Sequence, residues 1–278
     1  MAKRKTLHPL VAASTVVPLA ISLLTPKAPT AAVHATHVVA KKKHGACALN
    51  LKGCPDTGCA DDKHPEDALL NQVKRQVPGS SHAKVLSWSD FATLQEEANS
   101  TVGQDTPLDS KERAKLRNIS VSGGKVSEGD LVQLDGFLVG DPHPNDSGES
   151  VNCGLSGSAN NDFHIPFADD PDKSPFEGIV AEMIPQGREE GHPDWTIKTL
   201  HKIERERRMV RFNGQLLYDN KHRVNSDQDD PIGGQPPRFS LFEVHPVTDA
   251  MVCKQADTDC SATDWETIAE FLKEKPHP

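Results

Sequence analysis

Five polar residues in the second half of this 278-residue chain have the types and spacing for metal or acid–base chemistry: His164, Asp219, His222, Glu243 and His245. Glu243 and His245 stand two apart, a spacing that puts both on one face of a strand, because successive strand side chains alternate sides. Asp162 and His164 repeat the pattern around Phe163, Ile165 and Phe167, which take the opposite face. If the two strands are neighbours, His164, His245 and Glu243 converge as a metal set, with Asp219 and His222 entering from the following turn. Two imidazoles and a carboxylate are adequate ligands for zinc or another divalent ion, and the same groups can exchange protons. The simpler reading of each histidine is a hydrogen-bonded structural pair with a carboxylate. Glu182 has an equally simple partner in Arg211 on another strand. No P-loop, Rossmann glycine pattern, G-x-S-x-G elbow or H-E-x-x-H occurs, which removes the easily recognised enzyme classes; no cofactor is predicted, with a divalent ion such as zinc as the alternative.

Those residues need rigid strands to hold them, and the chain supplies candidates from Glu128 onward. Leu131 to Val139, Ser150 to Leu155, Asp162 to Phe167, Ile179 to Ile184, Val210 to Tyr218 and Ser240 to Val247 read as strands between Gly, Pro, Asn and Asp punctuation. One helix interrupts them, with Asp194 as its cap and Trp195, Ile197, Leu200 and Ile203 at near-helical spacing. Gly136 lies mid-strand, where a long first strand can bend to join both halves of a small barrel. About five strands with a helix before the penultimate one is the order of an OB-like barrel, so the fold class is mainly β, with a barrel over residues 120–253 and a β-sandwich as the alternative.

Short helices flank the barrel. An arm over 67–119 carries three: Asp67 to Val77, Ser87 to Ala98, and Asp109 to Ile119 with Asp109 and Glu112 at capping-box spacing. Over 254–278, a last helix from Thr263 to Lys273 is expected to open on a Thr263 and Glu266 capping box.

Residues 1–35 have the layout of an export signal: Lys3, Arg4 and Lys5, an apolar run from Leu10 to Leu24, then small residues ending Val33-His34-Ala35. The run is too short for a membrane helix of about 20 residues. Cleavage after Ala35 removes four basic residues and no acid, taking the formal charge from −9 to −13. Export implies an oxidising compartment, so the six cysteines, Cys47, Cys54 and Cys59 in the irregular segment 36–66 and Cys153, Cys253 and Cys260 downstream, are expected to be bridged. The spacing C-x6-C-x4-C lacks the paired C-x2-C units of zinc folds. Cys153 and Cys253 are expected to pair, on the reasoning that both end barrel strands.

The motifs that carry these positions also resemble a known group. Glu128-Gly129-Asp130 with Asp135-Gly136-Phe137, then Asn161-Asp162-Phe163-His164-Ile165, Val180-Ala181-Glu182, Val210-Arg211-Phe212-Asn213-Gly214 with Asp219-x-x-His222, and Phe242-Glu243-Val244-His245-Pro246-Val247 look like a widespread group of uncharacterised bacterial secreted OB-like domains. The resemblance covers roughly residues 126 to 253. It departs from the commoner pattern at Arg223 to Arg238, a long polar insertion where relatives have a brief turn. What it implies is a fold and an ordered His-rich face, and no reaction.

These readings favour an extracytoplasmic binding or interaction module over an enzyme, with a protein, glycan or small molecule as partner and no membrane contact after signal cleavage. A metal-dependent hydrolase of nuclease or phosphoesterase type, using the His and carboxylate cluster, is the alternative. Nucleic acid is disfavoured, because the mature chain is acidic, Tyr218 is the sole tyrosine, and Arg205, Arg207, Arg208 and Arg211 are interleaved with Glu204 and Glu206.

Overall fold

The computed structural model describes residues 45–60, 63–256 and 260–273; the expected export signal lies outside them. Helices are α1 (Pro65–Arg75), α2 (Trp88–Thr101), α3 (Ser110–Arg113), α4 (Pro185–Gly191), α5 (Ile197–Arg205) and α6 (Ile268–Phe271). Strands are β1 (Lys84–Val85), β2 (Ile119–Val121), β3 (Gly124–Val126), β4 (Leu131–Leu138), β5 (His143–Pro144), β6 (Phe163–Ala168), β7 (Ile179–Met183), β8 (Arg208–Tyr218), β9 (Phe242–Ala256) and β10 (Trp265–Thr267).

Five of these strands close a barrel. β4 pairs with β8, β8 with β9, β9 in parallel with β7, and β7 with β6, which returns to β4 through Phe137↔Ala168 and Leu138↔Phe167. With α5 between the third and fourth barrel strands, the order is that of an OB-like barrel, and the sandwich alternative is set aside. Gly136 is where the closure happens. A Cβ there would lie 2.5 Å from the Ala168 carbonyl oxygen and 2.7 Å from the Trp88 ring, so only glycine lets β4 pass this close to β6 and α2.

The barrel interior takes one parity of each strand. Phe163, Ile165 and Phe167 of β6, Ile179, Ala181 and Met183 of β7, Val210 and Phe212 of β8, and Phe242 and Val244 of β9 form one apolar cluster. α2 closes one end of it with Phe91, Leu94 and Ala98, and each such buried large side chain contributes about 1.5 to 3 kcal/mol. The helix starts where Ser87 caps it: the Ser87 side chain accepts from Asp90 N, and Asp90 accepts from Ser87 N.

Several expected elements differ. Ser150 to Leu155 is not a strand; Cys153 takes a positive φ of 56°, and the segment closes into turns through Cys153 N→Ser150 O and Gly154 N→Glu149 O. The helix opened by Asp109 and Glu112 keeps its capping box but yields to a 3-10 turn at Ala114–Leu116, because Asn118 turns left-handed (φ 56°) to start β2. At the C-terminus, Trp265 and Glu266 extend the sheet against Cys253 and Val252. The helix starts later, with Thr267 and Glu270 as its capping box instead of Thr263 and Glu266. The helix before β8 is capped by Thr196 in place of Asp194. α1 ends at Arg75, which leaves Val77 exposed beyond its apolar stripe.

The expected Cys153–Cys253 bridge is corrected. The pairs are Cys47–Cys59, Cys54–Cys153 and Cys253–Cys260. A Cys153–Cys253 bridge requires Cys153 at a strand end. In a turn it faces Leu51 and Cys54 instead, in a small apolar cluster with Leu155. No helix among the described residues is long and apolar enough to cross a membrane.

Candidate metal centre

The outer parity of the same strands is polar and is also buried. β7 lies between β6 and β9, so Glu182 stands directly opposite His164 in register, while its neighbour Ala181 pairs with Val244, the residue between Glu243 and His245. Strand alternation therefore brings His164, Glu182, Glu243 and His245 to one face. α1 covers that face. Gln215 of β8 ties it down, donating to the Val73 carbonyl at 2.7 Å and to the His245 carbonyl at 2.8 Å.

Ion contacts run through the whole cluster. His245 Nδ1 is 3.3 Å from Glu243 Oε2 and 3.0 Å from Glu182 Oε2, the latter off the hydrogen-bond direction, and His245 Nε2 is 3.6 Å from Asp162 Oδ2. Glu243 is held on its other side by Arg238, and both side chains are wholly enclosed. Lys74 reaches in from α1 to within 3.6 Å of Asp219 Oδ2, and His222 Nδ1 meets the same oxygen at 2.6 Å. Five carboxylates (Glu149, Asp162, Glu182, Asp219 and Glu243) thus face three permanent cations, Lys74, Arg188 and Arg238. Balance requires protonated imidazoles or a bound cation, since an unpaired charge in a dry site costs several kcal/mol.

Burial disfavours the His245 imidazolium, but Glu182 and Glu243 outweigh it and push this pKa up to about 10. Burial likewise opposes the charged His164, and Glu182 and Glu149 raise it to about 9. Burial and the Glu149 charge raise Asp162 to about 7. Burial also works against the Glu182 and Asp219 carboxylates, yet His164 and His245 hold Glu182, and Lys74 holds Asp219, well below the usual range. The sign of the pH dependence follows. An imidazole raised from about 6.5 in the unfolded chain stabilises the fold fully below pH 6.5 and loses that contribution as pH climbs through about 9 and 10. With a chelator present, the melting temperature is expected to fall steadily between pH 6.5 and pH 10; a flat or rising profile in thermal melts would contradict this.

Two sets of potential ligands emerge, each with its donor atoms within 4.8 Å of one another: Asp162, Glu182 and His245, and Glu149, His164 and Glu182. In the first, Asp162 Oδ2, Glu182 Oε2 and His245 Nε2 are all buried and none makes a hydrogen bond. They have ion contacts only, Glu182 Oε2 with His245 Nδ1 and Asp162 Oδ2 with His245 Nε2, where buried polar atoms in folded proteins are nearly always hydrogen-bonded. Their companions are satisfied: Asp162 Oδ1 accepts from Asn152 at 2.9 Å, and His245 Nδ1 is engaged by Glu243. That arrangement fixes the imidazole ring and leaves Nε2 as the nitrogen that would ligate a metal.

The chain matches no protein-family model, no curated protein and no solved structure.

The sequence-predicted residues are therefore gathered, but in a different grouping. His164 and His245 fall into two neighbouring sets. Glu243 turns to Arg238 and joins neither, and Asp219 and His222 sit across Lys74 from both. Glu182 is the shared member, and its expected pairing with Arg211 is replaced by Arg211–Asp135, a bidentate pair at 2.7 and 2.8 Å. Glu149, Lys74 and Arg238 were not legible as site residues. Glu149 lies in a loop with no period, and Lys74 and Arg238 sit in segments whose charges read as solvated.

Proposed function

We propose that the protein is an exported, disulfide-stapled binding module whose OB-like barrel holds a divalent cation, zinc by donor type, at Asp162, Glu182 and His245. The observation that carries this is the set of three buried, unbonded ligand atoms, with His245 Nε2 and Asp162 Oδ2 3.6 Å apart. A tetrahedral zinc site with bonds of ~2.1 Å has ligand edges of about 3.4 Å, so Asp162 and His245 need move little to close on an ion, while Glu182 Oε2, now against Nδ1, has to swing toward Nε2. Export is supported by the N-terminal layout and by three disulfides among the described residues. The motif resemblance to secreted OB-like domains points the same way.

A hydrolytic role for an ion at these three residues has less support. A catalytic metal keeps a position open to substrate, whereas Asp162, Glu182 and His245 are at most 1% exposed. Two surface hollows among the described residues lie elsewhere, one against Phe163, Arg188 and Trp195 and another against Val73, Arg113 and Glu128.

Thermal melts of metal-stripped protein test the proposal. Zinc at about a hundredfold excess over its dissociation constant should raise the melting temperature by roughly 5 to 10 °C. His245→Ala should abolish that shift. A parent protein that shows no shift and takes up no zinc on equilibrium dialysis would leave the cluster as a structural ion-pair network only.

A further inference from the structure

Glu182 belongs to both ligand sets, and its two oxygens point to different ones. Oε2 lies on the His245 side, 3.0 Å from Nδ1, while Oε1 lies 3.6 Å from His164 Nε2. His164 Nε2 is also 3.4 Å from Glu149 Oε1, so both carboxylates of the second set meet one imidazole nitrogen near the edge length of a tetrahedron of ligands. A carboxylate with one oxygen in each of two such sets is the donor arrangement that bridges a pair of metal ions about 3.5 to 4 Å apart.

The second set is also preorganised. Glu149 Oε2 accepts from Asp162 N at 3.1 Å and from Asn152 Nδ2 at 3.2 Å, and Oε1 accepts from Asn145 Nδ2 at 3.1 Å. The same Asn152 amide donates to Asp162 Oδ1, so one buried side chain orients a carboxylate in each set. The two positions differ in access. The side chains of His164 and Glu149 are 20% and 12% exposed, against 0% to 2% in the Asp162, Glu182 and His245 set.

We propose that Glu149, His164 and Glu182 hold a second divalent cation, bridged to the first through Glu182 and facing solvent, where its free coordination position takes water or an oxyanion. This rests on the cation-binding reading above and adds to it the number of ions and the one that exchanges ligands. The inner ion is structural and the outer one is the ligand-binding ion.

The experiment is zinc stoichiometry by elemental analysis of the mature protein after equilibrium dialysis, with His164→Ala and His245→Ala alongside, each checked for folding by circular dichroism. Two zinc ions per chain in the parent and one in His164→Ala are expected. One ion in the parent overturns the second position and leaves the first; none overturns both. Two ions in a folded His164→Ala also overturn it, because the second ion would then sit elsewhere. A readout independent of that variant is the magnetism of the cobalt(II)-loaded parent. Spin coupling between the two ions is expected, and two uncoupled ions would exclude the shared Glu182.

Discussion

Arg238→Ala should cost about 3 to 5 kcal/mol of folding stability, the range for removing one partner of a buried ion pair. Arg238 is 1% exposed, and its guanidinium donates to Glu243, whose side chain is wholly buried. Without it, Glu243 faces Glu182 across His245 with only the more distant Lys74 as a permanent cation, and must either take up a proton or draw in water. Part of the loss is packing, since Arg238 is the largest of the fully buried side chains. The double variant Arg238→Met with Glu243→Leu separates the two causes. It removes both charges while keeping bulk, and should recover most of the stability. Urea unfolding with unchanged m-value is the measurement. A loss below about 1 kcal/mol in the single variant would mean that the pair is solvated in solution.

Arg238 also marks the limit of what the residues alone reveal. It ends the polar stretch from Arg223, which has the composition of a solvated loop, and most of that stretch is exposed. What pulls Arg238 inward is a local device. Asn225 and Arg238 exchange backbone hydrogen bonds at 2.9 and 3.0 Å, and the Asn225 side chain accepts from Ile232 N and donates to the Gln235 carbonyl, pinching the insertion shut. Nothing in hydrophobic periodicity reports such a side chain–backbone clasp.

Where periodicity applies, it served well. Alternation on β6 and β9 separates Phe163, Ile165, Phe242 and Val244 from His164, Glu243 and His245, and those two parities do become the barrel interior and the polar face. Gly136 marked the bend that closes the barrel. Alternation is silent on register, however, and register decides partners. Glu182 meets His164 because β6 and β7 pair at that position, and Arg211 meets Asp135 because β4 and β8 do. The same gap explains the cysteines: pairing depends on which loops are adjacent, and the turn at Cys153 looked like a strand because Val151 and Leu155 flank it.

The Cys54–Cys153 bridge joins residues 99 apart, whereas Cys253–Cys260 spans 7. On the chain-entropy relation, closing a loop of about 100 residues contributes ~4.7 kcal/mol and one of about eight residues ~2.5 kcal/mol, values that measured bridges often fall below. Cys54→Ser with Cys153→Ser should therefore destabilise more than Cys253→Ser with Cys260→Ser, and for a second reason besides entropy. The longer bridge fastens the segment that carries α1: Arg75 donates to the Cys54 and Pro55 carbonyls, and Asn71 donates to the Thr57 carbonyl and to Ser150 Oγ. Freed from the loop at 150–153, α1 keeps, among the described residues, the Gln215 bond to Val73, the Lys74 and Asp67 ion pairs and the buried Leu70 over the barrel. The Cys54 and Cys153 variant should then expose the polar face, so amide hydrogen exchange in β7 and the 242–247 half of β9 should quicken before global unfolding. Equal destabilisation by the two double variants, with exchange in β7 unchanged, would show that α1 holds its place without the bridge.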